Sequence, residues 1–224
     1  MDLIERIDKK IDERHLLTHP FYTKWTEGTL PREALQEYAR QYFAFESAFP
    51  RLLSAMHART ESAEVRQQLL DNLWDEEHGP DNHAELWLRF AEGIGVDRDD
   101  VRSAPRNDAT QALVDMYEKV CREAPVEEGV AALYAYERQV PEVAGSKIDG
   151  LKKHFSVDDP RALEFFVVHG ELDVEHSAAE REMLRTLITD AQPEPIEQAT
   201  SRALDAWWNF LTAVDQPAAE PVTA

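Results

Sequence analysis

The sequence predicts an all-α protein, and three observations carry that prediction. Most long segments repeat their apolar residues with the period near 3.6 that is typical of an α-helix. Only eight glycines are spread over 224 residues. No segment shows the two-residue alternation of a half-buried β-strand, and no internal repeat stands out. We therefore expect a bundle of about seven to eight helices.

The ends of several helices are marked by their residues. The charged stretch MDLIERIDKKIDER predicts a helix at the N-terminus and excludes a signal peptide. Pro31 followed by Glu33, and Asp159 followed by Pro160, are typical of first helical turns. The predicted helices lie at roughly 2–16, 31–59, 62–78, 81–94, 108–124, 126–153 with a bend at Pro141, 159–190 and 195–213.

The helices are connected by short segments, which favours a single domain. We place that domain over residues 1–214. The last residues, QPAAEPVTA, are small and contain two prolines, so we expect a disordered tail over 215–224.

Composition excludes several classes of function. The chain has 44 Asp and Glu against 24 Lys and Arg, a formal charge of −20, and no basic patch is evident. This charge repels nucleic acid and anionic membrane surfaces, and it is also typical of a protein adapted to high salt. The single cysteine, Cys121, excludes an internal disulfide and a thiolate-rich zinc site. No apolar run is long enough to span a membrane, so we expect a soluble cytoplasmic protein whose oligomeric state, monomer or homodimer, is left open.

The segment FFVVHGELDVEH, residues 165–176, carries polar groups where a helix should be apolar. His169, Asp173 and His176 are spaced i, i+4 and i+7, so their side chains point within roughly 60° of one another. They also fall in line with the apolar stripe of the same helix. Charged and imidazole groups on a buried stripe need a partner, because an unsatisfied group there costs several kcal/mol.

Two other segments carry misplaced polar residues of the same kind. Glu76 and His83 interrupt the stripe of Leu69, Leu73, Leu86 and Phe90, and they are seven residues apart across a Gly-Pro pair that should kink the helix. Glu137 follows Val130, Leu133 and Tyr134 on the stripe of another helix. The sequence thus predicts three carboxylates and three imidazoles on the inner faces of the bundle.

Mixed histidine and carboxylate ligands favour iron or manganese, and six ligands match two ions with open positions. Alternatives exist for each element taken alone. The His-x3-Asp-x2-His pattern also suits a solvated face, Glu76 lies in the acidic run of Asp75 and Glu77, and Glu137 could form a buried ion pair. Glu46 is either a neighbour of the ligands or exposed. Three such intrusions on three apolar stripes favour the metal site.

Two consecutive segments of the sequence resemble the opening of a known superfamily. HPFYTKWTEGTL followed by LQEYARQYFAFESAFPRLL is similar to the opening of the heme-oxygenase-like proteins, which include the TenA thiaminases and the PqqC proteins. The resemblance extends to about residue 190. Within it, the six residues resemble the ligand set of the di-iron oxidases and oxygenases: Glu76, His83, Glu137, His169, Asp173 and His176.

The chain most resembles the CADD-like branch of that superfamily, which is linked to para-aminobenzoate synthesis for folate. The resemblance implies that Tyr22, in HPFYTKW, is the source of the ring and that Lys147, in VAGSKIDGL, is the amine donor. It also implies two iron ions, with manganese open at one position, and dioxygen and a reductant as co-substrates. Packing at a helix start is the alternative role for Tyr22, and an ordinary surface position is the alternative for Lys147.

Other members of the superfamily suggest other functions. A TenA-type thiaminase needs a nucleophilic cysteine on the helix that here reads LYAYE, and Cys121 lies on the preceding helix. A cofactor-free PqqC-like oxidase has no use for six buried ligands. Three alternatives stay open: a di-iron oxygenase acting on a small organic substrate, a cofactor-free TenA/PqqC-like protein, and a non-enzymatic binding or regulatory protein.

Overall fold

The computed structural model describes residues 1–188 and 192–216, and within these ranges the only regular elements are helices. Twelve are α-helices, and a 3-10 turn at Leu16–Thr18 follows the first. The bounds are α1 Leu3–Glu13, α2 Pro20–Glu27, α3 Arg32–Glu46, α4 Phe49–Arg59, α5 Ala63–Glu77, α6 His83–Gly93, α7 Arg98–Ser103, α8 Asp108–Glu123, α9 Val126–Glu137, α10 Val140–His154, α11 Pro160–Leu187 and α12 Pro193–Asp215. The all-α prediction is confirmed.

The predicted number of seven to eight helices is too low, chiefly because prolines divide two predicted helices. The segment 31–59 splits into α3 and α4, and 126–153 splits into α9 and α10. Pro50 and Pro141 each lie in the first turn of the second helix of the pair. A proline there lacks the N–H that would continue the preceding helix, whereas its fixed φ suits a helix start.

Two short helices, α2 and α7, were not predicted. They have eight and six residues, so neither repeats its apolar residues often enough to show a period. Helix α2 starts at Pro20 and is capped at its C-terminal end by Gly28, which adopts the left-handed conformation with φ 73°. A glycine takes that conformation without the steric cost that a β-carbon would bring.

The long helix α11 lies at the centre of the bundle. It packs against α5, α6, α9 and α10, while α12 packs across α8 and α9. Large buried aromatic side chains fill the space between α2, α3, α6 and α12, among them Trp25, Tyr38, Trp87 and Phe210. The helices that carry the predicted ligands therefore surround one interior.

Most of the predicted tail, residues 215–224, lies outside the described residues. Asp215 is the last residue of α12, and a carboxylate oxygen of its side chain lies 2.7 Å from Nζ of Lys24 on α2. Residues 217–224 lie outside the described residues, as do 189–191 at the predicted end of the long helix. None of the helices in the described ranges combines the length and the hydropathy needed to cross a bilayer.

Candidate metal centre

The six predicted ligands lie on four helices that face one another. Helix α11 supplies three of them, and α5, α6 and α9 supply one each. All six are buried, and His176 is the most exposed of them at 6%. The predicted i, i+4, i+7 face of α11 therefore points inward.

Glu76 and His83 meet although no continuous helix joins them. Helix α5 ends at Glu77, and the turn through Gly79 and Pro80 leads to α6, which begins at His83. The side chain of Asn82 accepts a hydrogen bond from the Glu85 N–H and so fixes the start of α6. Nδ1 of His83 lies 2.8 Å from Oε2 of Glu76, but no hydrogen bond satisfies that nitrogen.

His169 is held in a single tautomer. Its Nδ1 lies 2.7 Å from the carbonyl oxygen of Phe165, one turn earlier on α11. A carbonyl can only accept, so Nδ1 carries the proton and Nε2 keeps its lone pair. Histidines that bind metals are typically oriented in this way by a partner on the other ring nitrogen.

In His176, too, one ring nitrogen contacts a partner and the other has none. Its Nε2 lies 3.0 Å from Oδ2 of Asp75 on α5. Its Nδ1 lies 3.4 Å from Oδ1 of Asp173, without a hydrogen bond that satisfies it. The side chain thus turns one nitrogen to a carboxylate partner and the other to the interior, beside Asp173.

Glu137, the last residue of α9, is oriented by an amide. The side-chain nitrogen of Asn72 lies 3.3 and 3.4 Å from the two carboxylate oxygens of Glu137. Asn72 lies one turn before Glu76 on α5, so the same helix face supplies a ligand and a support for another ligand.

Five of the six predicted ligands, together with Glu46, place possible ligand atoms in two overlapping groups, and Asp173 belongs to neither group. Atoms of Glu76, Glu137 and His176 lie within 4.8 Å of one another, and so do atoms of Glu46, Glu76, His83 and His169. Glu76 belongs to both groups. Two groups with one shared carboxylate are the arrangement expected for two neighbouring ions.

The electrostatics of the chain alone disfavour charge at this centre. Burial raises the pKa of the Glu76 carboxyl, and the neighbouring Glu137 raises it further. Burial also raises the pKa of Glu137 and Asp173 and lowers the pKa of His169. A bound cation would reverse the direction for the three carboxyls, because it favours carboxylates, and it would act together with burial on His169, because it also favours the neutral imidazole.

His176 departs from this trend. Burial by itself lowers the pKa of its imidazole, but the carboxylates of Asp173, Glu137 and Asp75 outweigh burial and raise that pKa to about 10. Without a bound metal, a proton on His176 therefore supplies some of the positive charge that balances the neighbouring carboxylates.

The residues fit a pair of metal ions. Buried polar atoms without a hydrogen-bond partner are rare in folded proteins, yet several converge at this centre. They are Oε1 of Glu46, Nδ1 of His83, Oδ2 of Asp173 and Nδ1 of His176. Carboxylate oxygens and imidazole nitrogens are ligands that suit iron and manganese.

Three further residues around the centre are not among the predicted ligands, and the position of a fourth is not decided by the sequence. Glu180 is 1% exposed, and neither of its carboxylate oxygens has a hydrogen-bond partner. It continues the inward face of α11 at four residues beyond His176, so the helical period could have revealed it. On α5, Asn72 also falls on the inward face by the helical period, whereas Asp75 does not. Glu46, left undecided by the sequence, is buried beside the centre.

Tyr22 and Lys147 lie together in the aromatic core beside the centre. Nζ of Lys147 is 5.7 Å from the ring centroid of Tyr22 and 2.7 Å from the hydroxyl of Tyr38. Both residues are buried, so Lys147 is not an ordinary surface lysine. Burial lowers the pKa of the Lys147 amine to about 7, although Glu46 and Asp173 act to raise it. Burial raises the pKa of the Tyr22 phenol, which therefore stays protonated near neutral pH.

The space at the centre is small. A cavity of about 10 Å³ is lined by residues of α3, α4, α5, α9 and α11, among them Tyr42, Glu76, Glu137 and Asp173. Such a volume holds about one water molecule. The hydroxyls of Tyr42 and Tyr136, at the wall of this cavity, are hydrogen-bonded to each other.

Comparison with known proteins agrees with this centre. The family described as iron-containing redox enzymes matches residues 36–208. The chain belongs to this family. It is 41% identical to a 4-aminobenzoate synthase of Chlamydia pneumoniae, over 94% of this chain and 93% of that protein. A 4-aminobenzoate synthase of Nitrosomonas europaea is also 41% identical, over 95% of this chain and 90% of that protein.

Solved structures confirm the fold. A TenA homologue from Pseudomonas syringae pv. tomato superposes with a TM-score of 0.85, covering 96% of this chain and 93% of that one at 16% identity. The predicted heme-oxygenase-like, TenA-like bundle is therefore confirmed, as is the resemblance to the CADD-like branch. This iron-containing redox enzyme is an oxidoreductase.

Proposed function

We propose that the protein forms 4-aminobenzoate from its own Tyr22 and Lys147 at a pair of metal ions. The observation that carries this proposal is the burial of both side chains in one aromatic pocket, with the Lys147 amine 5.7 Å from the Tyr22 ring. The relatives named 4-aminobenzoate synthase support it. The ligands of the pair would be Glu76, His83, Glu137, His169, Asp173 and His176.

The structure of the product explains why these two residues suit the task. 4-Aminobenzoate is a six-membered aromatic ring with a carboxylate and, opposite it, an amine. A tyrosine ring already carries a carbon, Cβ, opposite its hydroxyl. Breaking the Cα–Cβ bond of Tyr22 and oxidising Cβ with dioxygen would give the carboxylate and leave a hydrogen on Cα. Nitrogen from Lys147 would replace the phenol oxygen, which leaves as water, while the Cε–Nζ bond breaks and dioxygen oxidises Cε to an aldehyde. Each chain would then react at most once.

The bound metals, two irons or one iron and one manganese, would supply the capacity to use dioxygen as the oxidant, with an external reductant. The protein supplies position and a dry environment. The packing of Tyr22 against Phe21 and Trp25 fixes its ring, and burial excludes water that would divert an oxidant.

Lys147 is prepared as a nitrogen donor by its surroundings. With a pKa of about 7, a substantial fraction of the amine is neutral at physiological pH, and only the neutral amine is a nucleophile. Its hydrogen bond to the Tyr38 hydroxyl holds the nitrogen near the Tyr22 ring. Tyr38 thus acts as a positioning residue.

A small organic substrate is the alternative, and the cavity size disfavours it. A space of about 10 Å³ beside the ligands admits nothing larger than a water-sized molecule, whereas an internal tyrosine needs no entry. The cofactor-free and regulatory alternatives leave the unpartnered atoms of four ligand-type residues unexplained.

Product analysis tests the proposal. The purified protein is loaded anaerobically with ferrous iron, or with iron and manganese, and is exposed to dioxygen and a reductant before mass spectrometry. We expect aminobenzoate that carries ring label when the protein is made with ring-labelled tyrosine. Tyr22→Phe and Lys147→Met should make none, whereas Tyr134→Phe and Lys152→Met, which change residues outside this pocket, should match the wild type. Aminobenzoate from Tyr22→Phe would refute the proposal.

A further inference from the structure

Glu46 is a buried carboxylate with no explanation in the fold itself. It is 4% exposed, and its Oε1 has no hydrogen-bond partner. It is also the last residue of α3, at the helix end where the peptide dipoles place partial negative charge. A buried carboxylate at the negative end of a helix is unfavourable unless a cation lies nearby.

Glu46 and Glu137 occupy the same position in an internal repeat that is only eight residues long. Residues 43–50 read FAFESAFP and residues 134–141 read YAYERQVP. Both follow the pattern aromatic, Ala, aromatic, Glu, two variable residues, apolar, Pro. The two copies are 91 positions apart, since 137 minus 46 is 91.

The repeat produces the same local structure twice. Helix α3 ends at Glu46 and α9 ends at Glu137, and in each case a proline follows four residues later. That proline cannot donate the hydrogen bond that the glutamate carbonyl would accept in a continuous helix. Each copy therefore places a glutamate at the break between two helices.

The two copies pack against each other. The rings of Phe45 and Tyr136, which occupy equivalent positions, have centroids 5.4 Å apart. Trp207 of α12 contacts both rings, at centroid distances of 4.7 Å for Phe45 and 4.3 Å for Tyr136. The glutamates that follow these rings therefore approach one interior from two helices.

Each glutamate joins a different group of ligand atoms. Glu137 belongs with Glu76 and His176, whereas Glu46 belongs with Glu76, His83 and His169. We infer that Glu46 is a seventh ligand of the centre, bound to the ion that His83 and His169 hold, as the counterpart of Glu137 at the other ion. This inference rests on the metal pair of the proposed function.

Charge supports the assignment. With Glu46, four carboxylates face the pair of divalent ions, and their four negative charges match the four positive charges. Without it, three carboxylates would leave a net positive charge in a low-dielectric interior, which is unfavourable. A role for Glu46 as the counter-ion of Lys147 fits less well, because the described residues show no ion pair between them and the amine donates to Tyr38.

Iron binding tests the inference without any measurement of activity. Wild type, Glu46→Gln, Glu46→Asp and the control Glu37→Gln, a half-buried glutamate on the same helix that pairs with Arg40, are titrated anaerobically with ferrous iron against a ferrous chelator. Retained iron is then counted after desalting. Circular dichroism checks that each variant is folded, and the melting temperature of each metal-free protein is measured alongside.

We expect about two irons per chain in the wild type and in Glu37→Gln, and about one in Glu46→Gln. The second iron should bind at least about tenfold more weakly in Glu46→Gln, since even residues that only orient ligands change metal affinity by about 10- to 100-fold. Glu46→Asp keeps the charge on a shorter side chain and should fall between the two. Metal-free Glu46→Gln should melt no lower than the metal-free wild type.

Two outcomes would separate the inference from the function on which it rests. If folded Glu46→Gln keeps two irons with the affinity of the wild type, Glu46 is not a ligand, although the proposed function stands. If Glu46→Gln does not fold, wild-type affinity in Glu46→Asp overturns the inference in the same way. A wild type that retains no iron would refute the metal pair itself.

Discussion

Replacing Lys147 with methionine should stabilise the metal-free protein while abolishing product. Burial lowers the pKa of Lys147 from 10.5 to about 7. One pKa unit corresponds to about 1.4 kcal/mol, so burying this lysine costs roughly 4 kcal/mol at pH 7 relative to the unfolded chain. Methionine fills a similar volume without a charge. It also removes the hydrogen bond to the Tyr38 hydroxyl, at a cost of about 1–3 kcal/mol, so we expect a net gain of about 1–3 kcal/mol.

The difference in stability between Lys147→Met and the wild type should depend on pH. Between pH 7 and 10.5 the unfolded lysine binds more protons than the buried one, so the free energy of unfolding of the wild type rises with pH in that window. Below pH 7 both forms are protonated and the full cost is present. The advantage of Lys147→Met should therefore be largest at pH 6 and should shrink steadily towards pH 9.

Denaturant unfolding of the metal-free proteins at pH 6, 7, 8 and 9 measures both effects. The exposed Lys152→Met is the matched control on the same helix, and its stability should stay within about 0.5 kcal/mol of the wild type at every pH. The reasoning is refuted if Lys147→Met is no more stable than the wild type at pH 6, or if the difference between them does not change with pH.

Three further predictions concern neighbouring residues. Asn72→Leu removes the amide that orients Glu137 and should weaken iron binding by about 10- to 100-fold in a chelator competition; unchanged affinity would argue against that role. Gly150→Ala places a methyl group 2.4 Å from the Trp25 ring and should lower the free energy of unfolding by about 1–3 kcal/mol, whereas Gly145→Ala, which meets nothing within 4 Å, should not. Glu180→Gln makes a buried unpartnered acid neutral, so the metal-free protein should melt higher, and a lower melting temperature would contradict this.

The parts of the fold that the sequence could predict are those with a long period. The stripe of α11 predicted that His169, Asp173 and His176 face inward, and the structure buries all three. The breaks within 31–59 and 126–153 were harder to predict. A proline that starts a new helix cannot be told from a proline that only bends a helix by the sequence alone. The sequence predicts a bend at Pro141, whereas in the structure one helix ends and another begins there.

Contacts between helices explain what the sequence could not show. The spacing of Glu76 and His83 suggested a shared face on a nearly continuous helix, yet their proximity comes from a turn that brings two helices together. Asp75 lies in an exposed acidic run, so no local pattern indicated that its carboxylate contacts His176 on another helix. Such roles depend on tertiary packing, which no local pattern encodes.

The burial of Tyr22 has a consequence for the protein after it has reacted. On the proposed function, the chain that releases the ring keeps only a backbone where an aromatic side chain had filled the core. Loss of a buried aromatic side chain typically costs about 3–5 kcal/mol, a large share of the about 5–15 kcal/mol that holds a domain folded. The spent polypeptide should thus unfold more readily than the fresh one, which would direct cellular proteases to the molecules that have finished their work. Comparing the melting temperatures of reacted and unreacted protein measures this loss of stability directly.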